Sequence, residues 1–155
     1  IGSKTFSNCE SLFKIKLPNS LTVIEKYLFY SCTNLERVRI HKGIVKIREF
    51  AFFRCKSLIR TTFSKFITSI ENNAFSECHK LEQLTFSPES TLEIGNNCFE
   101  NCQGLTSLTI ASNVSTVGDQ CFKDCVNLDK IEADPFSTIF SRRMSSLQNF
   151  NYKYN

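Results

Sequence analysis

The chain has 155 residues and a formal net charge of +4, and it is 41% hydrophobic and 22% charged, with three Pro and five Gly. This is a globular composition, long enough for one continuous core. No apolar run approaches the roughly 20 residues that a membrane helix needs, and no signal-peptide pattern is present.

Phe is abundant at 15 while Trp is absent, which points to one residue type filling a repeated slot. Taken in chain order, Phe6, Phe29, Phe52, Phe75, Phe99 and Phe122 recur at intervals of 23, 23, 23, 24 and 23. The same intervals separate Cys9, Cys32, Cys55, Cys78, Cys102 and Cys125, and again Leu12, Leu35, Leu58, Leu81, Leu105 and Leu128. A branched residue opens each unit: Ile1, Ile24, Ile47, Ile70, Ile94 and Val117. Self-similarity of this period is the mark of a stacked-repeat architecture. The first unit is already in register at Ile1, without an initiator Met, which reads as a fragment or processed product with units preceding it.

Within a unit, the apolar offsets from the branched residue to Leu are 0, 4, 5, 8 and 11, which predict one face of a short helical turn. The residue before Phe is often small, as at Ala51, Ala74, Cys98 and Cys121. After Leu the spacing tightens, as in Leu35/Val38/Ile40 and Leu105/Leu108/Ile110, which predicts a short strand. Neither element can bury its own apolar face within about 23 residues, so the units must stack and share a core. The extra residue of the longer interval falls between Phe86 and Ile94, near Pro88. Two strand positions break the pattern: Thr61 stands where others carry Ile, Val or Leu, and Ala133 ends the sixth strand. Both are expected to pack less well.

From Ile139 onward, Met144, Leu147 and Phe150 repeat the same offsets more loosely. The expected organisation is therefore six repeats over 1–133 and a degenerate seventh over 134–155 closing the core. The alternative for the tail is an independent amphipathic helix after Pro135. The expected fold is an α/β solenoid of about seven 23-residue repeats, with a parallel sheet on one face and short helical turns on the other.

The pattern Ile-Gly-x-x-Ala/Cys-Phe-x-x-Cys-x-x-Leu-x-x-Ile-x-Leu-Pro, clearest at Ile94–Leu108 and Leu12–Pro18, resembles the BspA-like (Treponema-type) leucine-rich repeat. The resemblance covers residues 1–133 strongly and 134–155 weakly. It implies a right-handed leucine-rich-repeat solenoid. It also implies surface or secreted proteins of bacteria and protozoan parasites, acting in adhesion and protein binding without a catalytic site.

Eight Cys raise the possibility of disulfides or metal. Six of them share one inward column, where neighbours lie about 5 Å apart and point the same way. A disulfide needs Cβ atoms converging to roughly 3.8 Å. Cys9, Cys32, Cys55, Cys78, Cys102 and Cys125 are therefore expected to form a structural ladder of free thiols. Zinc sites favour Cys-x-x-Cys spacing or His partners, and only His41 and His79 exist, so no metal is expected. With no Gly-rich phosphate loop and no pocket placing a base beside a thiol, no cofactor, small-molecule substrate or enzymatic activity is expected.

The charge is unevenly divided. Residues 1–66 hold 13 Lys/Arg and four Asp/Glu, and residues 67–155 hold six and 11, giving +9 and −5. On the predicted strands the outward residues form two columns: Lys14, Arg37, Arg60, Gln83, Ser107, Lys130 and Lys16, Arg39, Thr62, Thr85, Thr109, Glu132. Lys14, Lys16, Arg37, Arg39 and Arg60 thus make a basic face, the candidate partner surface, unless it is only solvated. Such a patch suits another protein with an acidic surface; nucleic acid is disfavoured, because no aromatic residue lies in these columns for stacking. The functional expectation is a protein-binding module at the cell surface or secreted; the alternative is an intracellular, cytoplasmic scaffold using the same surface.

Overall fold

The computed structural model describes residues 1–86, 91–110 and 114–133. Ten short strands follow one another: β1 (Lys14–Lys16), β2 (Val23–Ile24), β3 (Arg37–Arg39), β4 (Lys46–Ile47) and β5 (Ser69–Ile70), then β6 (Gln83–Thr85), β7 (Leu92–Ile94), β8 (Ser107–Ile110), β9 (Val114–Val117) and β10 (Lys130–Ala133). All pairings are parallel, with partners about one repeat apart, such as Lys14↔Arg37 and Ile24↔Ile47. The chain is therefore a parallel-strand solenoid, and the described residues complete about five turns, not seven. The expected capping unit at 134–155, with Met144, Leu147 and Phe150, lies outside the described residues.

Two parallel ladders run along the rod. One joins β1 to β3 and, through bridges at Arg37↔Arg60 and Arg60↔Gln83, continues to β6, β8 and β10. The other has the order β2-β4-β5-β7-β9. This second ladder corrects the sequence reading. Ile24, Ile47, Ile70, Ile94 and Val117, taken to open a helical turn, instead end strands and pack as a buried column. Where β7 meets β9 the register shifts between Leu92 and Glu93, just after the longer interval.

No helix occurs among the described residues, and the backbone shows why. The residues two before and two after each repeated Phe have positive φ, as at Tyr27 (59°), Ser31 (55°), Asn97 (53°) and Asn101 (57°). A left-handed residue on each side of Phe stops any right-handed helical run. Hydrogen bonding alternates in step. The N–H groups of Tyr27, Phe29 and Ser31 donate to the carbonyls of Glu49, Ala51 and Phe53 in the next unit, at 3.2, 2.8 and 2.7 Å. The intervening N–H groups of Leu28 and Tyr30 close four-residue turns onto the carbonyls of Glu25 and Tyr27. The same weave recurs around Phe52, Phe75 and Phe99.

The core is a set of side-chain columns. Phe6, Phe29, Phe52, Phe75, Phe99 and Phe122 stack ring on ring with centroids 4.9 to 5.6 Å apart. A second pair, Phe63 and Phe86, stacks at 5.2 Å and meets the main column edge-on. Thr61 is only 6% exposed and its Oγ1 has no hydrogen-bond partner. At that level the strand shrinks to the single bridging residue Arg60. A hydroxyl in an apolar column costs its hydration and fills the slot poorly.

Glycine takes over where backbones close in. Asn72 Oδ1 accepts the Asn96 N–H and Asn96 Oδ1 accepts the Asp119 N–H, both at 2.8 Å, drawing successive units together. A Cβ on Gly118 would lie 2.3 Å from the Asn96 nitrogen and from the Gly95 carbonyl carbon. Gly118→Ala should therefore destabilise the rod by about 1–3 kcal/mol in thermal or urea unfolding. Gly2→Ala, with nothing within 4 Å of its new Cβ, should leave stability unchanged. Equal melting of the two variants would mean that the close approach is not enforced.

Candidate functional site

The basic face follows from the strand period. Ile15, Val38, Thr61, Leu84, Leu108 and Ile131 point inward, so their neighbours in sequence point out. Lys14 lies opposite Arg37 and Lys16 opposite Arg39 in register, and Arg37 bridges to Arg60. All five side chains named from the sequence are exposed and share one face. Strand geometry sets them about 4.8 Å apart across strands and about 6.7 Å apart along a strand. Thr62, Gln83 and Thr85 continue the face as exposed neutral residues.

The ion pairing is distributed unequally. Away from this face, five cations are matched with carboxylates of adjacent units: Lys26–Glu49 at 2.6 Å, Lys46–Glu71 at 3.0 Å, Arg48–Glu25 at 3.3 Å, Arg54–Glu77 at 2.9 Å and Lys123–Glu100 at 3.3 Å. On the face, Lys14, Lys16, Arg37 and Arg39 make no ion pair among the described residues, and Arg60 has only a long, exposed contact to Glu82 at 3.7 Å. Lys42, Lys56 and Lys80 likewise make no ion pair among the described residues, and they sit in the turns that leave or enter the same ladder.

A cleft of about 650 Å³ opens where β1 and β3 end, lined by Lys16, Asn19, Arg39, His41, Lys42 and Thr62, among others. His41 forms a wall of it. Its Nε2 lies 2.9 Å from the Pro18 carbonyl and its Nδ1 accepts the Gly43 N–H at 3.1 Å, so the ring carries its proton on Nε2. Sequence reasoning missed this cleft because Asn19, His41 and Lys42 fall in the variable stretch between repeats. The adjacent His41-Lys42 pair was the available signal.

The cysteines form the other feature singled out from the sequence. Cys32, Cys55, Cys78, Cys102 and Cys125 are buried, Cys9 is half-buried, and all eight thiols are free. Each buried member of the column donates its S–H to the Phe carbonyl of the unit before: Cys32 to Phe6, Cys55 to Phe29, Cys78 to Phe52, Cys102 to Phe75 and Cys125 to Phe99, at 2.9 to 3.3 Å. The column is thus a hydrogen-bond donor as well as a small apolar filler.

With the architecture in view, comparison with known proteins becomes specific. The model of the BspA type leucine rich repeat region matches six copies, over residues 1–129 and 87–154. The chain belongs to the BspA-type leucine-rich-repeat family. Its fold is similar to that of a Treponema pallidum leucine-rich repeat protein, with a TM-score of 0.80 and 26% identity over 100% of this chain and 78% of that one. It is also similar to a leucine-rich cell surface protein of Faecalibacterium prausnitzii, with a TM-score of 0.67 and 26% identity over 86% of this chain and 42% of that one. The pneumococcal vaccine antigen PcpA has a TM-score of 0.69 over 92% of this chain and 40% of its own, and at 18% identity that likeness shows the fold alone. A search of curated proteins finds no match. Repeats of this family are generally non-enzymatic scaffolds that bind proteins, and relatives include cell-surface proteins. No helix among the described residues is long and apolar enough to cross a membrane.

Burial pushes the Cys32 thiol up from 9.0 to about 11, with a smaller opposing effect of its backbone hydrogen bond. Burial likewise raises Cys55, Cys78, Cys98, Cys102 and Cys121 well above the ordinary value. The folded state therefore holds protons that the unfolded chain gives up. The contribution of these thiols to stability should be constant below about pH 9 and fall as pH rises through about 11 for Cys32, and further for the others. Melting temperatures measured between pH 7 and 11 should show this alkaline decline. In native protein at neutral pH, Cys9 should react first with a thiol reagent, and all eight should react in denaturant. A pH-independent melting temperature, or six or fewer thiols in fresh denatured protein, would contradict the buried free ladder.

Proposed function

We propose that this chain is a non-enzymatic recognition module that holds another protein, through an anionic surface, against the basic face of Lys14, Lys16, Arg37, Arg39 and Arg60. The observation that carries this reading is the placement of unpaired cations. Five cations away from this face find carboxylates of adjacent units, whereas Lys14, Lys16, Arg37 and Arg39 find none among the described residues and Arg60 only the long contact to Glu82. Exposed like charges in register repel by about 1 kcal/mol per pair in water, and an anionic partner reverses that repulsion. Electrostatic complementarity of this kind acts mainly on the rate of association. The likeness to cell-surface relatives supports a surface or secreted adhesion protein. A second reading, an intracellular scaffold on the same solenoid, draws support from the eight unbridged thiols. Burial protects those thiols in either compartment, so staining of intact and permeabilised cells separates the two readings.

Reversing Lys14, Arg37 and Arg60 to Glu leaves every inward column intact, so the circular dichroism and melting of the protein should be unchanged. Its association with host-cell surface proteins, followed in real time, should slow by about tenfold or more and lose most of its salt dependence. A folded triple variant that associates at the original rate would reduce the face to a solvated surface.

A further inference from the structure

The basic face can be read more closely, and the step rests on its role as a partner surface. We propose that the face, together with the cleft at its exit, binds a sulfated polysaccharide. On this proposal the anion gripped is a sulfated glycan carried by the partner, and not acidic side chains of its polypeptide.

Three features of the face point to a hydrated polyanion. The first is the lack of an apolar or aromatic residue within the two outward columns, the exposed Phe13 lying just before β1. Protein interfaces concentrate affinity in aromatic and apolar residues seated in dry pockets, and their centres are depleted in Lys. Both outward columns here are polar at every described position, from Lys14 to Gln83 and from Lys16 to Thr85. Contacts available to a ligand are charge and hydrogen bonding, which is what a sulfated sugar chain offers at its surface. The same lack of aromatics removes the stacking platform that single-stranded nucleic acid uses.

The second feature is shape. The cations form a strip two residues wide that crosses the strands, so a linear ligand running across the ladder meets a pair at β1, a pair at β3 and then Arg60. Arg37, Arg39 and Arg60 present guanidinium forks that hold two oxygens of one oxyanion at once. Thr62, Gln83 and Thr85 carry the strip onward with exposed hydroxyl and amide groups, suited to sugar hydroxyls. The acidic C-terminal half, at −5 over residues 67–155, confines the charged footprint to β1, β3 and the bridge at Arg60.

The third feature is the cleft of about 650 Å³, which lies in the size range of small-ligand sites. Lys16 and Arg39 belong to both the strip and the cleft, and Lys42, Asn19 and Thr62 complete its polar lining. Both ring nitrogens of His41 are engaged by Pro18 and Gly43, so His41 shapes the wall and the ligand meets Lys, Arg, Asn and Thr. The cleft accommodates a sugar unit whose sulfate reaches Lys16, Arg39 and Lys42 while the rest of the chain lies along the strip.

The test is retention of the whole 155-residue chain on three immobilised probes at increasing salt: heparin, chemically desulfated heparin and polyglutamate. Heparin should retain the protein to clearly higher salt than the other two. Lys16→Gln with Arg39→Gln and Lys42→Gln should weaken heparin affinity by about tenfold or more and flatten the salt dependence by about three charges. Arg39→Gln alone should show a smaller change in the same direction if the triple variant melts early. Lys123→Gln, whose partner is Glu100 on another face, should behave as wild type. Equal retention on polyglutamate and heparin would overturn the sulfated-glycan proposal while leaving the face as an acidic-protein surface. Retention on none of the probes would overturn both, and heparin binding untouched by folded cleft variants would overturn this site.

Discussion

Three N–H groups in each coil from Phe6 to Phe99, at the repeated Phe and two residues to either side, are aimed along the rod at carbonyls of the next coil. Everything else about this molecule is built on that alignment. It requires left-handed backbone at the two flanking residues, which costs about 1–2 kcal/mol each for a residue other than glycine. The cross-coil hydrogen bonds, at about 1 kcal/mol net apiece, and the stacked Phe rings, at about 0.5–1.5 kcal/mol per contact, offset that cost. The Phe carbonyl closes the arrangement. It accepts one bond from the Cys N–H of its own coil and another from the Cys S–H of the next, as Phe29 does from Cys32 and Cys55. A side chain at that position must be small enough to be buried and still donate, and cysteine meets both demands.

The strand spacing that the stack enforces also governs the surface. Residues one repeat apart stand side by side, so each outward column becomes a row of neighbours. On the turn side this makes ion pairs easy: Lys26 finds Glu49 and Arg54 finds Glu77, each one repeat on. It also lets Tyr27 stack on Phe50 and Tyr30 on Phe53 at 5.2 Å. On the strand face the same rule places Lys14 beside Arg37 and Lys16 beside Arg39, with no acid between them. Repetition thus turns a few residue choices into a continuous strip of charge, and recognition becomes a matter of which column carries which residue.

The repeat, the inward columns and the basic strip were legible in the sequence because each depends on a residue type recurring at a fixed interval. Thr61 was legible for the same reason, and the weak single-residue bridge at Arg60 follows from that break in the column. The helical turn was misread. Offsets of 4 and 8 from Ile24 to Leu28 and Cys32 fit a helix, yet they fit equally a turn with left-handed residues two before and two after the Phe, as at Tyr27 and Ser31. The distinguishing signal lay in the outward positions, where Asn73, Asn97 and Asn101 occupy left-handed backbone that asparagine tolerates. Tyr27 and Phe50 hold the same conformation and masked the pattern. The second ladder was hidden because its two- to four-residue strands leave too little alternation to detect. The cleft was invisible for a different reason: it forms between coils, from residues outside every repeated column.

Amide hydrogen exchange tests the organising role of the inter-coil bonds most directly. If those bonds hold the rod together, the N–H groups of Phe29, Phe52 and Phe75 should be among the slowest in the chain. They should exchange together, with one free energy equal to that of global unfolding. Exchange of these amides as fast as that of exposed turn residues, or independently coil by coil, would contradict it and leave side-chain packing alone to hold the stack.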